Sequence, residues 1–350
     1  MAIDNYLING GFEIAQRIIP GQLTTIASDQ MGADRWRVSV ETAGVQYTRQ
    51  DNIGTATPGL AARFNGFYGK ITAAGKLATV QPVESLMTAS LTGQTVIFQV
   101  TMKTSVARTM RLGILELSSA GTADAIPYPY VSAWNGATVD PTWAANLALR
   151  APNAAIGGTI RGNAVDCPVT TAYQTFTGVF TLGATTKNVL PIVFSDTQFA
   201  GADTLQISQC VLQSGAAQVP WVEPPIQQTI AACERFYEKS YDIDTPPGTS
   251  GVVGFLLFSG WSSIPVNNYY GYIPYRTRKR NGVTAGNVIL YSFHGVSYTA
   301  SQAGGTDLAS GSAYPGYGSE VGCSVYNNSG VAITPAAGGF WVSYTSQGEI

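Results

Sequence analysis

The sequence predicts an all-β chain: an N-terminal jelly-roll β-sandwich, a short connecting α-helix and a C-terminal small β-sandwich domain. Short segments of apolar and polar alternation recur along most of its length with Gly- or Ser-rich breaks between them. A single stretch, Glu223 to Asp242, carries helical spacing. The composition is 11% charged but 45% hydrophobic, with 13 Phe, 18 Tyr and 6 Trp, so cores can be filled and disorder is excluded. At 350 residues the chain is long enough for two domains.

Taken in order, Leu7 to Glu13 predicts a short apolar strand, an Asn-Gly turn and then Phe12 beside a carboxylate. Ala33 to Glu41 alternates strictly, with Trp36, Val38 and Val40 on one face and Arg35, Arg37, Ser39 and Glu41 on the other. Leu60 to Ile71, Lys76 to Leu86, Thr95 to Thr104 and Thr109 to Leu117 repeat the pattern. After a long irregular middle, Ser118 to Asp166, it resumes in Thr175 to Phe180, Asn188 to Phe194 and Leu205 to Leu212. Strands at such intervals with no helix between them predict an antiparallel sandwich, and the long middle is where function would concentrate.

Pro224 and Pro225 suit a helix start, and Gln, Ala, Glu, Arg and Lys beyond them are good helix formers. Ile226, Ile230, Cys233 and Tyr237 recur at three- and four-residue steps, a stripe that would either pack on its own domain or, as a hinge between two β domains, form a seam between copies of the chain. The expected organisation is residues 1–222 as the jelly roll, 223–242 as the linker helix and 243–350 as a β domain for oligomerisation or receptor binding. In that last part, Val252 to Phe258 reads as a strand buried on both faces, followed by strands at Val288 to Phe293, Glu320 to Tyr326 and Gly339 to Thr345. Asn281-Gly282 and Asn328 to Gly330 are turn signals.

Asn9-Gly10-Gly11-Phe12-Glu13 resembles the start of galactose-binding-like jelly-roll carbohydrate-binding modules. Gln16-Arg17, Ala33-Asp34-Arg35-Trp36 and Trp221-Val222-Glu223-Pro224 resemble the version found in bacteriophage tail proteins, as does the following Cys233 to Lys239 run. Tyr275 to Lys279 and the aromatic end Phe340 to Tyr344 extend the likeness. The resemblance implies a virion protein of the tail-fibre or tail-tip kind, a homotrimer joined to other tail proteins that adheres to host cell-surface glycan. It also implies a structural calcium at Glu13, although Gln209 stands where a last-strand carboxylate would help. No other cofactor is expected.

Net charge is −2, so no global field draws the chain to nucleic acid or anionic lipid. No run approaches the roughly 18 apolar residues of a membrane span. Met1-Ala-Ile-Asp-Asn shows no signal peptide, so synthesis in the host cytoplasm is expected. Cys167, Cys210, Cys233 and Cys323 form no CxxC pattern and are expected as thiols.

The single histidine, His294, leaves one base for any Ser-His-Asp arrangement, and no P-loop or HExxH is present. A non-enzymatic protein is therefore expected. A depolymerase with a carboxylate pair, or an architectural adaptor without a glycan site, are the alternatives. Glycan binding would use loop aromatics, because pyranose C–H faces stack on Trp and Tyr. Tyr128, Tyr130, Trp134 and Trp143 form one cluster; Trp261, Tyr269, Tyr270 and Tyr272, with Asn267 and Asn268, form the preferred one, and packing or an intersubunit contact is the alternative for each. Arg276, Arg278, Lys279 and Arg280 read as a solvated edge strand.

Overall fold

The computed structural model describes all residues except 1–4, 20, 27, 29, 43–44, 51–65, 137–139, 252–253, 259–269, 281–283, 303–306, 308–312, 327–339 and 348–350. The chain forms two compact units that meet in sequence between Pro225 and Ile226.

The first unit is a sandwich of two antiparallel sheets. One has seven strands, in the order Thr24–Ile26, Val45–Gln50, Gly66–Ile71, Thr204–Ser214, Thr95–Thr104, Gln174–Thr181, Pro152–Ile156. The other has eight and is built around Arg108–Leu117, Asn188–Phe194 and Leu77–Val80. Successive long strands alternate between the sheets, as in a jelly roll: Leu77–Val80, Thr95–Thr104, Arg108–Leu117, Gln174–Thr181, Asn188–Phe194 and Thr204–Ser214. Period-2 alternation explains the main core, because Val96, Phe98, Val100 and Met102 all face inward against Phe176, Phe180 and Leu205. Lys76 to Leu86 is only partly strand, since a one-turn helix follows at Ser85–Thr88.

The first residues close this sandwich as a turn rather than the expected strand. Gly10 carries its backbone so near the bulged strand Thr204–Ser214 that an added Cβ would lie 2.3 Å from the Cys210 carbonyl oxygen. Its own carbonyl accepts the Cys210 amide at 2.9 Å. Asn9, at φ 57°, donates to the carbonyls of Ile14 and Asp34 and accepts the Ile14 amide. Trp36 donates its indole N–H to the Asn9 carbonyl and lies 4.8 Å from Phe12. The motifs Asn9 to Phe12 and Asp34 to Trp36 therefore meet in one packed knot.

The second unit is organised by Phe340–Gln347, which pairs with Tyr237–Lys239, Leu256–Phe258, Val288–Tyr291 and Ser301–Gln302. A three-stranded sheet, Tyr270–Pro274, Gly322–Tyr326 and Tyr314–Gly318, packs Ile273, Cys323 and Val325 into the same core. The helix covers only Ile226–Glu234 and belongs to this unit. Good helix formers continue to Lys239, but backbone pairing with Phe340–Gln347 turns Tyr237–Lys239 into a strand, a tertiary override of propensity.

That strand carries a buried ion pair. Glu238 and Lys279 are both fully buried and 2.7 Å apart. Glu238 also accepts the Arg276 amide and the Tyr344 hydroxyl, while Lys279 donates to the Glu234 carbonyl. Burial pushes the Lys279 ammonium below its ordinary value, and Glu238 pulls it back. None of the four buried cysteines is in a disulfide.

Lys279→Met, which strands Glu238, is expected to cost about 3–5 kcal/mol in chemical denaturation, and Glu238→Gln/Lys279→Met together less. A second expectation concerns alkali. Burial raises the hydroxyl pKa of Tyr47, Tyr275 and Tyr344, with Asp34, Cys323 and Glu238 respectively adding to it. The folded chain thus holds these protons when the unfolded chain, at about 10, releases them. The buried thiols of Cys167, Cys210 and Cys323 are raised in the same way, so stability should fall from about pH 8.5 and more steeply above about 10, by up to about 1.4 kcal/mol per pH unit for each group, read as Tm between about pH 7 and 11.5.

Candidate functional site

Outward-facing residues of the seven-stranded sheet form a row across its strands. Thr48, Tyr68, Gln206 and Lys103 are successive cross-strand partners, so their side chains share one face, of which Thr48 is buried. Tyr173, just before the strand Gln174–Thr181, completes the row: its hydroxyl donates to Gln206 Oε1 and its ring lies under Lys103 Nζ at 4.5 Å. Tyr68, Lys103, Tyr173 and Gln206 are all half-buried, and the neighbouring row adds Lys70 opposite Thr204. Burial pushes the Tyr173 hydroxyl up, so it stays a neutral donor at ordinary pH.

The other end of this face is covered. Gln99 exchanges hydrogen bonds with the backbone of Val219, and Gln99, Thr101, Thr177 and Ser208 are buried. Beside the exit segment, Asn5, Gln213, Pro220 and Trp221 help line a cavity of about 190 Å³. What remains open is a shallow strip with two aromatic rings, an amide and ammonium groups. Such a set can stack on a sugar ring and hydrogen-bond its hydroxyls, but it holds no nucleophile paired with a base.

The aromatic clusters read from the sequence fare differently. Tyr130 is buried and Trp134 and Trp143 pack against a second core on the far face of the eight-stranded sheet, with Leu115, Leu190, Ile192 and Phe194. Trp143 meets Phe194 edge-on at 5.2 Å. These rings are packing, because the long middle folds back over an apolar sheet face. Tyr128 alone is well exposed, at 53%, with the Arg37 guanidinium 4.7 Å above its ring. Of the second cluster, Trp261, Asn267, Asn268 and Tyr269 lie outside the described residues, as do the Asn281-Gly282 and Asn328 to Gly330 turns. Tyr270 and Tyr272 sit on the strand Tyr270–Pro274.

The expected seam is not an open stripe. Cys233 and Tyr237 are buried in their own unit, Ile230 is half-buried and Ile226 is exposed. Glu13 is buried, and its carbonyl accepts from Arg49. Among the described residues no group of three or more His, Cys, Asp or Glu is assembled, so the expected calcium would find no cage of side-chain carboxylates at Glu13. The basic run is no edge strand: the strand ends at Pro274, Lys279 is buried, Arg276 pairs with Glu234 and Arg278 with Glu320.

His294 Nδ1 lies 3.0 Å from Asp307, an arrangement the sequence did not suggest. Ser292 donates to Asp307 rather than to the imidazole and accepts the His294 and Val296 amides, so no serine–imidazole relay is formed. The row Tyr68, Gln206, Lys103 and Tyr173 was also missed. Its signal was present as polar residues on the alternate positions of three strands and just before a fourth, but only pairing register aligns them.

Trp143→Ala should lower stability by about 3 kcal/mol, whereas Tyr128→Ala should change it by less than about 1, in the same thermal or chemical denaturation series.

No protein-family model and no curated protein matches the chain. Among solved structures, it is similar to the enzymatically active domain of bacteriophage CBA120 tailspike protein 4, with 12% identity and a TM-score of 0.34 over 61% of this chain. The match spans 22% of that tailspike chain. It is also similar to TmCBM61 in complex with β-1,4-galactotriose, with 13% identity and a TM-score of 0.33, covering 61% of this chain and 100% of that one. A third is the family 11 carbohydrate-binding module from Clostridium thermocellum, in complex with a β-1,3-1,4-mixed-linked tetrasaccharide, with 12% identity, a TM-score of 0.28 and coverage of 55% and 97%.

Proposed function

We propose that this chain binds glycan without catalysis, through the open strip of its seven-stranded sheet. The observation that carries the reading is the cross-strand row Tyr68, Gln206, Lys103 and Tyr173. Tyr173 is held by Gln206 and Lys103 before any ligand arrives, so little side-chain entropy remains to be lost on binding. Two rings supply stacking surface, while Gln206 and the lysines supply hydroxyl partners.

The biological setting we infer is a bacteriophage virion, in which the chain is a tail-fibre or tail-tip component made in the host cytoplasm and joined to other tail proteins. The ordered run of tail-protein-like motifs from Asn9 through Trp221 to Cys233 supports that setting. A trimer would repeat weak sugar contacts on one particle and so gain avidity that no single site has.

Tyr68→Ala/Tyr173→Ala should weaken binding to host cells or isolated host polysaccharide by about tenfold or more, with an unchanged far-UV spectrum. Equal binding by the variant would rule this strip out, and release of reducing ends from the polysaccharide would replace adhesion with hydrolysis. Light scattering of the full chain should give three times the chain mass; a monomer would remove the avidity mechanism.

A further inference from the structure

The three-stranded sheet of the second unit has two unlike faces. Ile273, Cys323 and Val325 point into the core. On the opposite face the pairing register sets Tyr326 beside Tyr314 on one side and the backbone of Tyr270 on the other, with Tyr272 opposite Ser324 one step along. The Tyr314 and Tyr326 rings are near-parallel, 29° apart with centroids at 6.2 Å, and Tyr298 continues the row, 25° from Tyr314 at 6.1 Å. Tyr298 is 37% exposed, Tyr272 54% and the adjacent Tyr317 95%.

Two glycines let these rings lie down on the sheet. A Cβ on Gly316 would meet the Ser324 hydroxyl at 2.3 Å and the Tyr326 ring at 3.1 Å, and one on Gly322 would meet the Tyr272 hydroxyl at 2.3 Å. With side chains there, the rings would be pushed upright; without them, each covers bare backbone and turns its other side outward. The face carries hydroxyls at its ring edges and from Ser324, and none of these tyrosine, serine and glycine positions is charged.

We propose that this tyrosine-paved face is a second glycan site, one that takes an extended, uncharged oligosaccharide laid across the ring row. Flat rings with hydroxyl edges suit the apolar faces and equatorial hydroxyls of pyranoses. A nucleic-acid strand would need a basic groove beside the stacking rings, and the exposed arginines that follow the strand Tyr270–Pro274 are paired with carboxylates, Arg276 with Glu234 and Arg278 with Glu320. The inference extends the adhesive reading of the first unit and rests on a different set of residues. Two sites on one chain would let a single molecule hold a polysaccharide at two points, before any gain from oligomerisation.

The test is affinity electrophoresis of the full chain in native gels containing dextran, xyloglucan, galactomannan or, as an anionic control, dextran sulfate. Four further proteins are run: Tyr314→Ala/Tyr326→Ala, Gly316→Ala, Tyr68→Ala/Tyr173→Ala, and the first and third combined. Gly316→Ala keeps every aromatic and adds a methyl 2.3 Å from the Ser324 hydroxyl and 3.1 Å from the Tyr326 ring, disturbing the face without removing a ring, so it tests the face if the double variant does not fold. Retardation in at least one neutral gel is expected. The dissociation constant should rise about tenfold in Tyr314→Ala/Tyr326→Ala and severalfold in Gly316→Ala. Retardation unaffected by these variants but lost in Tyr68→Ala/Tyr173→Ala overturns the second site and spares the first. Retardation in no neutral gel, or in dextran sulfate alone, overturns both. A change of oligomeric state in Tyr314→Ala/Tyr326→Ala with unchanged retardation makes the face a contact between copies and overturns the glycan assignment.

Discussion

The first unit depends on how its two distant ends are held together. Tyr6 donates to the Leu212 carbonyl, Cys210 donates to Gly10, and Asn5 bonds both the Cys210 carbonyl and the Leu212 amide. A contact across more than two hundred residues is entropically costly to form, so it must be repaid by close packing. Gly10 permits that packing by letting backbone touch backbone. Asn9 then anchors the turn to Asp34, and Asp34 in turn accepts from Gln16 and Arg17. The knot seals one end of the main core, where Phe12, Trp36 and Phe67 meet.

A chain with so few charges places several of them inside. Glu238 and Lys279 fix the strand Tyr237–Lys239 against the basic run, and neither could be buried there alone. Around the second core, Arg111 reaches Asp140 and Asp166, and Arg161 bridges Asp166 to Asp196. These pairs tie loops to sheets whose remaining contacts are apolar and non-directional.

The second core also decides which surfaces are available for binding. Covering the far face of the eight-stranded sheet buries Tyr130 and takes Trp134 and Trp143 partly out of solvent. The seven-stranded sheet keeps polar side chains outward over part of its width. The two proposed sites, the polar strip with its few fixed rings and the tyrosine row of the second unit, would each bind weakly and rely on repetition.

The sequence by itself determined the all-β class, most of the long strands and the composition of the main core, because period-2 alternation is a local property that each strand carries in full. Thr95–Thr104 and Asn188–Phe194 were legible to the residue for that reason. The helix was legible only at its start: propensity favours helix through Lys239, and the pairing partner that overrides it lies about a hundred residues away. The candidate sites were least legible. Tyr68, Gln206, Lys103 and Tyr173 are unremarkable one at a time, as are Tyr314, Tyr326 and Gly316. Whether an aromatic faces water or a second core, and whether polar residues on separate strands align, are set by register and by what folds over each sheet face. Those are non-local quantities, and tertiary structure alone decides them.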